Sequence, residues 1–150
     1  MHRGDLKLAP GKEEIKTVDM ARPTTALIVD DEPHVRVYLR MLLRSLGVTQ
    51  VWEASDGKQA VELYTEHRPA VVLLDMVMPH VGGTQTLRDL QAIEPDVPVV
   101  VVTSQSSLKI VEEMHQLGAI AYLLKHTPRE QMMKTLTEAL DSLDPDLAGE

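Results

Sequence analysis

Carboxylate residues stand directly after two short apolar runs of this 150-residue chain. Residues 26–29 are followed by Asp30-Asp31-Glu32, and residues 70–74 are followed by Asp75. Three carboxylates held close together repel one another, so a cluster of Asp30, Asp31 and Asp75 lasts only if a proton or a cation neutralises it. A hard divalent cation, Mg²⁺ or Mn²⁺, suits an all-oxygen ligand set that leaves positions open for water. The sequence therefore predicts a divalent metal site.

Two further apolar runs end in residues that suit phosphate chemistry. Thr103 follows residues 97–102, and Lys125 follows residues 120–124. A lysine ammonium supplies a point charge for phosphoryl oxygens, and a hydroxyl supplies a hydrogen bond. Because a carboxylate can be the covalent acceptor of a phosphoryl group, one Asp is expected to be the nucleophile while the others hold the metal. Asp75 is the best candidate for the nucleophile, since it ends a central strand alone.

The runs that position these residues alternate with helical patterns. Strands are predicted at residues 26–29, 48–52, 70–74, 97–102 and 120–124, and helices at about residues 35–46, 57–67, 83–93, 106–117 and 128–143. In the first helix, Leu39 and Leu42 belong to the apolar stripe, and Arg36, Arg40 and Arg44 line the opposite face. Five βα units predict an α/β fold, a doubly wound parallel sheet with helices on both faces. Ligands of such sheets bind outside the carboxyl ends of the strands, where the polar residues stand.

Composition excludes several classes of function. Fifteen basic against 23 acidic residues give a formal net charge of -8, which disfavours direct nucleic acid binding by this chain. There is no cysteine, and no apolar run is long enough to cross a bilayer, so we expect no membrane partner and a cytoplasmic location. We expect a flexible extension over residues 1–22, one folded domain over residues 23–143, and an acidic tail or linker remnant over residues 144–150.

Four motifs together resemble the receiver domain of bacterial response regulators, the CheY-like superfamily of two-component signalling. The matching segments are Ile28-Val29-Asp30-Asp31-Glu32, Leu73-Leu74-Asp75-Met76-Val77-Met78-Pro79 with Gly83, Val101-Val102-Thr103-Ser104, and Ala121-Tyr122-Leu123-Leu124-Lys125. The resemblance covers residues 25–143 and implies a flavodoxin-like sheet with strand order 2-1-3-4-5.

The resemblance also implies roles for single residues. Asp75 would be the phosphoacceptor and Lys125 the partner of the phosphate. The metal would be held by Asp31 directly, by Asp30 directly or through water, by Asp75, and by the Val77 carbonyl. The switch would consist of Thr103, whose hydroxyl turns to the phosphoryl group, and Tyr122, whose ring follows it.

In such a protein the phosphoryl group comes from a sensor histidine kinase or a histidine phosphotransfer protein. Phosphorylation would then reshape the face formed by the fourth helix, fifth strand and fifth helix, which would control a downstream protein target or drive homodimerisation. This chemistry is self-modification, so we expect no conventional enzyme. Val77 and Gln105 stand at the two positions thought to tune loss of the phosphoryl group, and because Val77 cannot orient an attacking water, we predict slow self-dephosphorylation. His126 stands after Lys125 where receivers commonly have Pro.

Other interpretations remain open at this stage. Asp30 and Asp31 could cap the first helix, Lys125 could be a solvated surface charge, and Tyr122 could be an ordinary strand aromatic. A flavodoxin-like flavin protein fits poorly because acids follow the first strand, and a haloacid dehalogenase-type phosphatase fits poorly because the second acid of its Asp-x-Asp motif is missing after Asp75. A phosphate-independent scaffold is the main rival. The chain is expected to be a stand-alone regulator, or else the receiver part of a longer DNA-binding regulator.

Overall fold

The computed structural model of the protein describes residues 22–78 and 80–144. The predicted N-terminal extension, apart from Arg22, lies outside the described residues, and so does the predicted tail after Asp144. The ten predicted elements are all present. The strands are β1 (Thr25–Val29), β2 (Gln50–Ala54), β3 (Val71–Leu74), β4 (Val99–Thr103) and β5 (Ala121–Leu124). The helices are α1 (Pro33–Ser45), α2 (Gly57–His67), α3 (Gly83–Ile93), α4 (Leu108–Gln116) and α5 (Arg129–Ser142).

β2 and β4 each begin two residues later than their apolar runs do, for different physical reasons. Val48 is buried, but its N–H bonds to the Leu43 carbonyl at the end of α1, so β2 begins only at Gln50. Pro98 has no N–H to donate to a ladder, and β4 begins at Val99. At the starts of β2 and β4, a residue can therefore be buried and apolar without being paired in the sheet.

The five strands form one parallel sheet in the order β2-β1-β3-β4-β5, as the resemblance implied. Each strand is joined to the next in the chain by a helix. The order reverses its direction between β1 and β3, which is where parallel sheets open a crevice for ligands at their carboxyl edge.

Alternate residues of the central strands pack against different helix layers. Ile28 and Leu73 belong to the layer under α1 and α5, while Leu27 and Leu74 belong to the layer under α2, α3 and α4. All four β3 residues are buried, as expected for a strand covered on both faces. The core therefore holds the carboxyl ends of β1, β3 and β4 rigidly side by side.

Candidate functional site

The register of the sheet places the predicted site residues at one edge. Val29 pairs with Leu74, so Asp30 and Asp75 follow neighbouring strands at the same level, and the Asp75 N–H donates to the Val29 carbonyl at 2.9 Å. Thr103 pairs with Leu124, and the Lys125 N–H donates to the Thr103 carbonyl at 2.8 Å. The sheet therefore brings Asp30, Asp31, Asp75 and Lys125 together, with Thr103 beside them.

Asp30, Asp31 and Asp75 form the predicted acidic cluster. Each offers one carboxylate oxygen, and these oxygens all lie within 4.8 Å of one another. Asp30 is 1% exposed and Asp75 is 2% exposed, whereas Asp31 is open to solvent. Two buried carboxylates with an exposed third at the mouth form a site that a hard cation can enter from solvent while it keeps part of its water shell.

Lys125 lies over the buried carboxylates. Its Nζ is 2.9 Å from Asp30 Oδ2, 3.2 Å from Asp75 Oδ2 and 2.8 Å from Glu32 Oε1. Burial would lower the pKa of this lysine, but the hydrogen bond to Glu32, the close ion pair with Asp30 and the charge of Asp75 raise it well above its ordinary value. Lys125 is therefore held as a cation, and the reading of it as a solvated surface charge is wrong.

The surroundings of Asp75 disfavour the ionised form of its carboxyl group. Its burial, followed by the charge of Asp30, raises its pKa above the ordinary value, although Lys125 and the Val77 N–H act in the opposite direction. The Val77 N–H donates to Asp75 Oδ1 at 3.3 Å. A bound divalent cation would offset both the burial of the Asp75 charge and its repulsion from Asp30.

Glu32 was missed as a site residue by sequence reasoning, which treated it only as part of a motif. Its carboxylate accepts from Lys125 Nζ, and this hydrogen bond lowers the pKa of Glu32. Asp30 does not cap α1, because its Oδ1 accepts from the N–H of Glu32, which precedes the helix. The side chain of Glu32, at the N-cap position, makes no capping hydrogen bond either. The position of Glu32 directly after Asp30 and Asp31 was the sequence feature that could have identified it as a site residue.

The loop between β3 and α3 approaches the acceptor closely because Gly83 has no side chain. A Cβ at Gly83 would lie 2.5 Å from Met76 Cα and 2.6 Å from the Asp75 carbonyl oxygen. The Gly83 N–H donates to the Met76 carbonyl at 3.0 Å, which closes the loop. Val77, whose carbonyl was the predicted fourth ligand group, lies in this loop and is 52% exposed.

The two predicted switch residues are linked through the main chain of Gln105. The Gln105 N–H donates to Thr103 Oγ1 at 3.4 Å, and the Tyr122 hydroxyl donates to the Gln105 carbonyl at 2.7 Å. Thr103 is fully buried, and partial burial raises the pKa of Tyr122. Sequence reasoning named both residues but not the Gln105 main chain that joins them.

Two of the three α1 arginines interact with β2. Glu53 accepts from Arg36 Nε at 2.9 Å and from Arg40 Nη2, while Arg36 Nη1 also donates to the Asp30 carbonyl at 2.7 Å. Helical spacing alone grouped both arginines with Arg44 on one polar face. That grouping was too coarse, because Arg36 is partly buried and also contacts the loop that carries Asp30 and Asp31.

Two grooves lie on the surface of the domain, one beside the carboxyl edge of the sheet and one alongside the edge strand β5. A groove of about 310 Å³ adjoins Lys125 between α1 and α5 and is lined by residues that include His34, Tyr38, His126 and Met132. A second groove of about 490 Å³ lies between α4 and β5, and Tyr122, Met114 and Ile120 contribute to its wall.

Comparison with known proteins agrees with this geometry. The family model described as the response regulator receiver domain matches residues 26–137. The chain belongs to this family and is a receiver domain of the kind found in two-component response regulators.

Individual relatives differ in length. The chain is 39% identical over 107 residues to the transcriptional regulatory protein PdtaR of Mycobacterium tuberculosis, covering 71% of this chain and 52% of PdtaR. It is 32% identical over 117 residues to protein CcdB of Bacillus subtilis, covering 78% of this chain and 98% of CcdB. A solved structure described as the CheX-CheY-BeF3-Mg+2 complex from Borrelia burgdorferi contains a chain with a TM-score of 0.75 and 24% identity, covering 81% of this chain and 92% of that one. This last likeness supports the fold.

The donor set fits a divalent metal ion. Asp30 Oδ2 is buried and receives no hydrogen bond of good geometry, although Lys125 Nζ is near it. Receiver domains typically depend on Mg²⁺, and this carboxylate cluster has the oxygen chemistry that Mg²⁺ prefers. Among the described residues, no helix has the length and apolar character needed to cross a membrane.

Proposed function

We propose that this receiver domain accepts a phosphoryl group on Asp75 in a Mg²⁺-dependent reaction. One observation supports this most directly. The Asp75 carboxylate lies 3.2 Å from the Lys125 ammonium and within 4.8 Å of two further carboxylates. A nucleophile beside a fixed cation and a set of possible metal ligands matches the needs of phosphoryl transfer, in which catalysis is mostly positioning and charge stabilisation.

Each residue of the site has a distinct role in this reaction. An oxygen of Asp75 forms a bond to phosphorus as the bond between phosphorus and the donor's leaving group breaks. Lys125 exchanges its contact with the acceptor carboxylate for contacts with phosphoryl oxygens. Bound Mg²⁺, held by Asp30, Asp31, Asp75 and the Val77 carbonyl, would supply the positive charge that offsets the phosphoryl oxygens.

We further propose that Thr103 and Tyr122 transmit phosphorylation to the surface. If the Thr103 hydroxyl turns toward the phosphoryl group, the Gln105 N–H loses its acceptor, and the main chain of Gln105, whose carbonyl accepts from Tyr122, is then free to shift. The ring of Tyr122 is part of the wall of the groove between α4 and β5. A change there alters the surface that α4, β5 and α5 present to a downstream protein or to a second copy of the chain.

The proposed donor is a sensor histidine kinase or a histidine phosphotransfer protein in the cytoplasm. Its reactive group would approach through the open side of the site, where Asp31 is exposed and Glu32 borders the groove beside Lys125. The match to nearly all of CcdB is consistent with a stand-alone regulator. The match to about half of PdtaR supports the alternative, in which an output domain follows.

Intact-protein mass spectrometry after incubation with acetyl phosphate tests the proposal. The wild type should gain one phosphoryl group in Mg²⁺ and none with a chelator, and Asp75→Asn should gain none. The exposed Asp96→Asn is the matched control and should behave as the wild type does. If the wild type binds Mg²⁺ but gains no phosphoryl group from several donors, the phosphate-independent scaffold replaces this proposal.

The lifetime of the phosphorylated protein gives a second test. Val77 is apolar and exposed beside Asp75, so it offers no group to orient an attacking water. The phosphoryl group should therefore persist for minutes or longer after the donor is removed. A half-life of seconds without a phosphatase would contradict this, and Val77→Glu should shorten the lifetime if the position acts as proposed.

A further inference from the structure

Arg36 connects the loop that carries Asp30 and Asp31 to β2, an edge strand of the sheet. Its Nη1 donates to the Asp30 carbonyl at 2.7 Å, and its Nε donates to Glu53 Oε1 on β2 at 2.9 Å. Arg40, one turn further along α1, binds the other oxygen of Glu53. Of this pair, Arg36 is the residue that also hydrogen-bonds the backbone of the loop carrying Asp30 and Asp31.

Asp30 is thereby held at three points. Its N–H donates to the Ala54 carbonyl at 3.0 Å, its carbonyl accepts from Arg36, and its side chain accepts from the Glu32 N–H at 2.9 Å. The Asp30 carbonyl belongs to the peptide that leads into Asp31. Fixing this carbonyl against α1 fixes the plane of that peptide, and with it the position from which the Asp31 side chain starts.

The guanidinium is itself held in place. Glu53 is partly buried, and burial would raise its pKa, but the hydrogen bonds from Arg40 and Arg36 outweigh this and lower it. Glu53 is therefore ionised at neutral pH and orients the Arg36 guanidinium. A planar group with several N–H donors can bind a carboxylate and a carbonyl at the same time, which a single ammonium cannot do with the same geometry.

We infer that Arg36 is a positioning residue for the divalent metal site, acting through the Asp30 carbonyl and oriented by Glu53. This inference rests on the proposed function, because it concerns the metal that the proposed reaction uses. Groups that orient metal ligands without touching the metal commonly change metal affinity by tenfold or more when removed.

The sign of the effect separates positioning from simple electrostatics. Arg36 is a cation near a cation site, so loss of its charge alone should make Mg²⁺ bind more tightly. Loss of positioning should make Mg²⁺ bind more weakly. Arg40→Gln is the matched control, since it removes the same charge from the same helix and from the same partner, Glu53, but leaves the Asp30 contact intact.

The experiment measures Mg²⁺ binding to the unphosphorylated full chain by isothermal titration calorimetry, together with the Mg²⁺-induced rise in Tm. Arg36→Gln should raise the Kd for Mg²⁺ on the order of tenfold and shrink the Tm rise. Arg40→Gln should leave the Kd unchanged or lower it. Arg36→Lys keeps the charge and is the second variant, with an intermediate Kd expected, if Arg36→Gln fails to fold.

The outcomes distinguish this inference from the proposed function. A merely structural role for Arg36 would lower the Tm of the metal-free protein and leave the Kd for Mg²⁺ unchanged, which would overturn the inference alone. Equal weakening by Arg36→Gln and Arg40→Gln would also overturn it, because the Asp30 contact would then be irrelevant. Absence of Mg²⁺ binding by the wild type would overturn both the inference and the metal dependence of the proposed function.

Discussion

The cluster of buried charges predicts that removing the acceptor carboxylate stabilises the metal-free fold. We expect Asp75→Asn to raise the free energy of unfolding at neutral pH in the presence of a chelator. Asparagine keeps the shape of the side chain and an oxygen that can accept from the Val77 N–H. It removes one of two carboxylates that are buried within 4.8 Å of each other.

The magnitude follows from the distances. At an effective dielectric constant of about 20, the repulsion between Asp75 and Asp30 amounts to about 3.5 kcal/mol for oxygens within 4.8 Å. The attraction to Lys125 at 3.2 Å amounts to about 5 kcal/mol, but Lys125 keeps Asp30 and Glu32 as partners in the variant. Burying the Asp75 charge costs a further several kcal/mol. We therefore expect a net gain of about 2 kcal/mol for Asp75→Asn.

Urea denaturation followed by circular dichroism measures this gain. Asp96→Asn, at an exposed position, is the control and should change the free energy of unfolding by less than about 0.5 kcal/mol. Excess Mg²⁺ should reduce the difference between wild type and Asp75→Asn, because the metal stabilises the wild type through Asp75. The reasoning is refuted if Asp75→Asn is less stable than the wild type when divalent ions are absent.

The pH dependence of the gain has a definite sign. Because the folded-state pKa of Asp75 is raised, the folded protein binds more protons than the unfolded chain between the unfolded value of about 4 and the raised value. The wild type therefore loses stability as pH rises through this window. The gain from Asp75→Asn should be full above the folded-state pKa and should disappear as pH falls toward about 4.

Three further predictions concern neighbouring groups. Glu53→Gln should cost about 1 kcal/mol at neutral pH, and because the pKa of Glu53 is lowered in the folded protein, this cost in urea denaturation should begin to fall as pH drops through about 4 and should vanish only below the lowered folded-state pKa. Gly83→Ala should cost about 2 to 3 kcal/mol by the same assay, since its Cβ meets backbone, whereas Gly82→Ala, whose nearest atom is 3.9 Å away, should cost less than about 1 kcal/mol. Lys125→Met leaves the buried carboxylates without their cation and should lower stability by about 3 kcal/mol, with partial recovery in Mg²⁺ that differential scanning calorimetry can detect.

Much of the fold was predictable because its signals are local and repeated. Five apolar runs separated by helical patterns leave few topologies, since right-handed crossovers place helices on both faces of a parallel sheet. α2 and α3 match their predicted bounds of residues 57–67 and 83–93. The start of β2 was wrong by two residues, because Val48 is buried without belonging to the strand ladder, and an apolar pattern reports burial alone.

The site was predictable to the extent that it stands at strand ends. Asp30, Asp75, Thr103 and Lys125 each follow or end a strand, and parallel strands end at one edge. The contacts that sequence reasoning missed join residues far apart in the chain through side-chain reach, as Arg36 and Glu53 do across α1 and β2. Such contacts depend on how a helix is rotated about its axis relative to a strand. The spacing of apolar residues indicates this rotation too coarsely to predict which side chains are paired.

The connection between Thr103 and Tyr122 is made by backbone atoms of Gln105, and this has a consequence for how such proteins can diverge. Any residue that keeps its N–H can stand at position 105 without breaking the connection, whereas proline cannot. The side chain of residue 105 is exposed and takes no part in those two hydrogen bonds. Substitutions at position 105 can therefore change the surface exposed to water or to a partner while the two backbone hydrogen bonds between Thr103 and Tyr122 are kept.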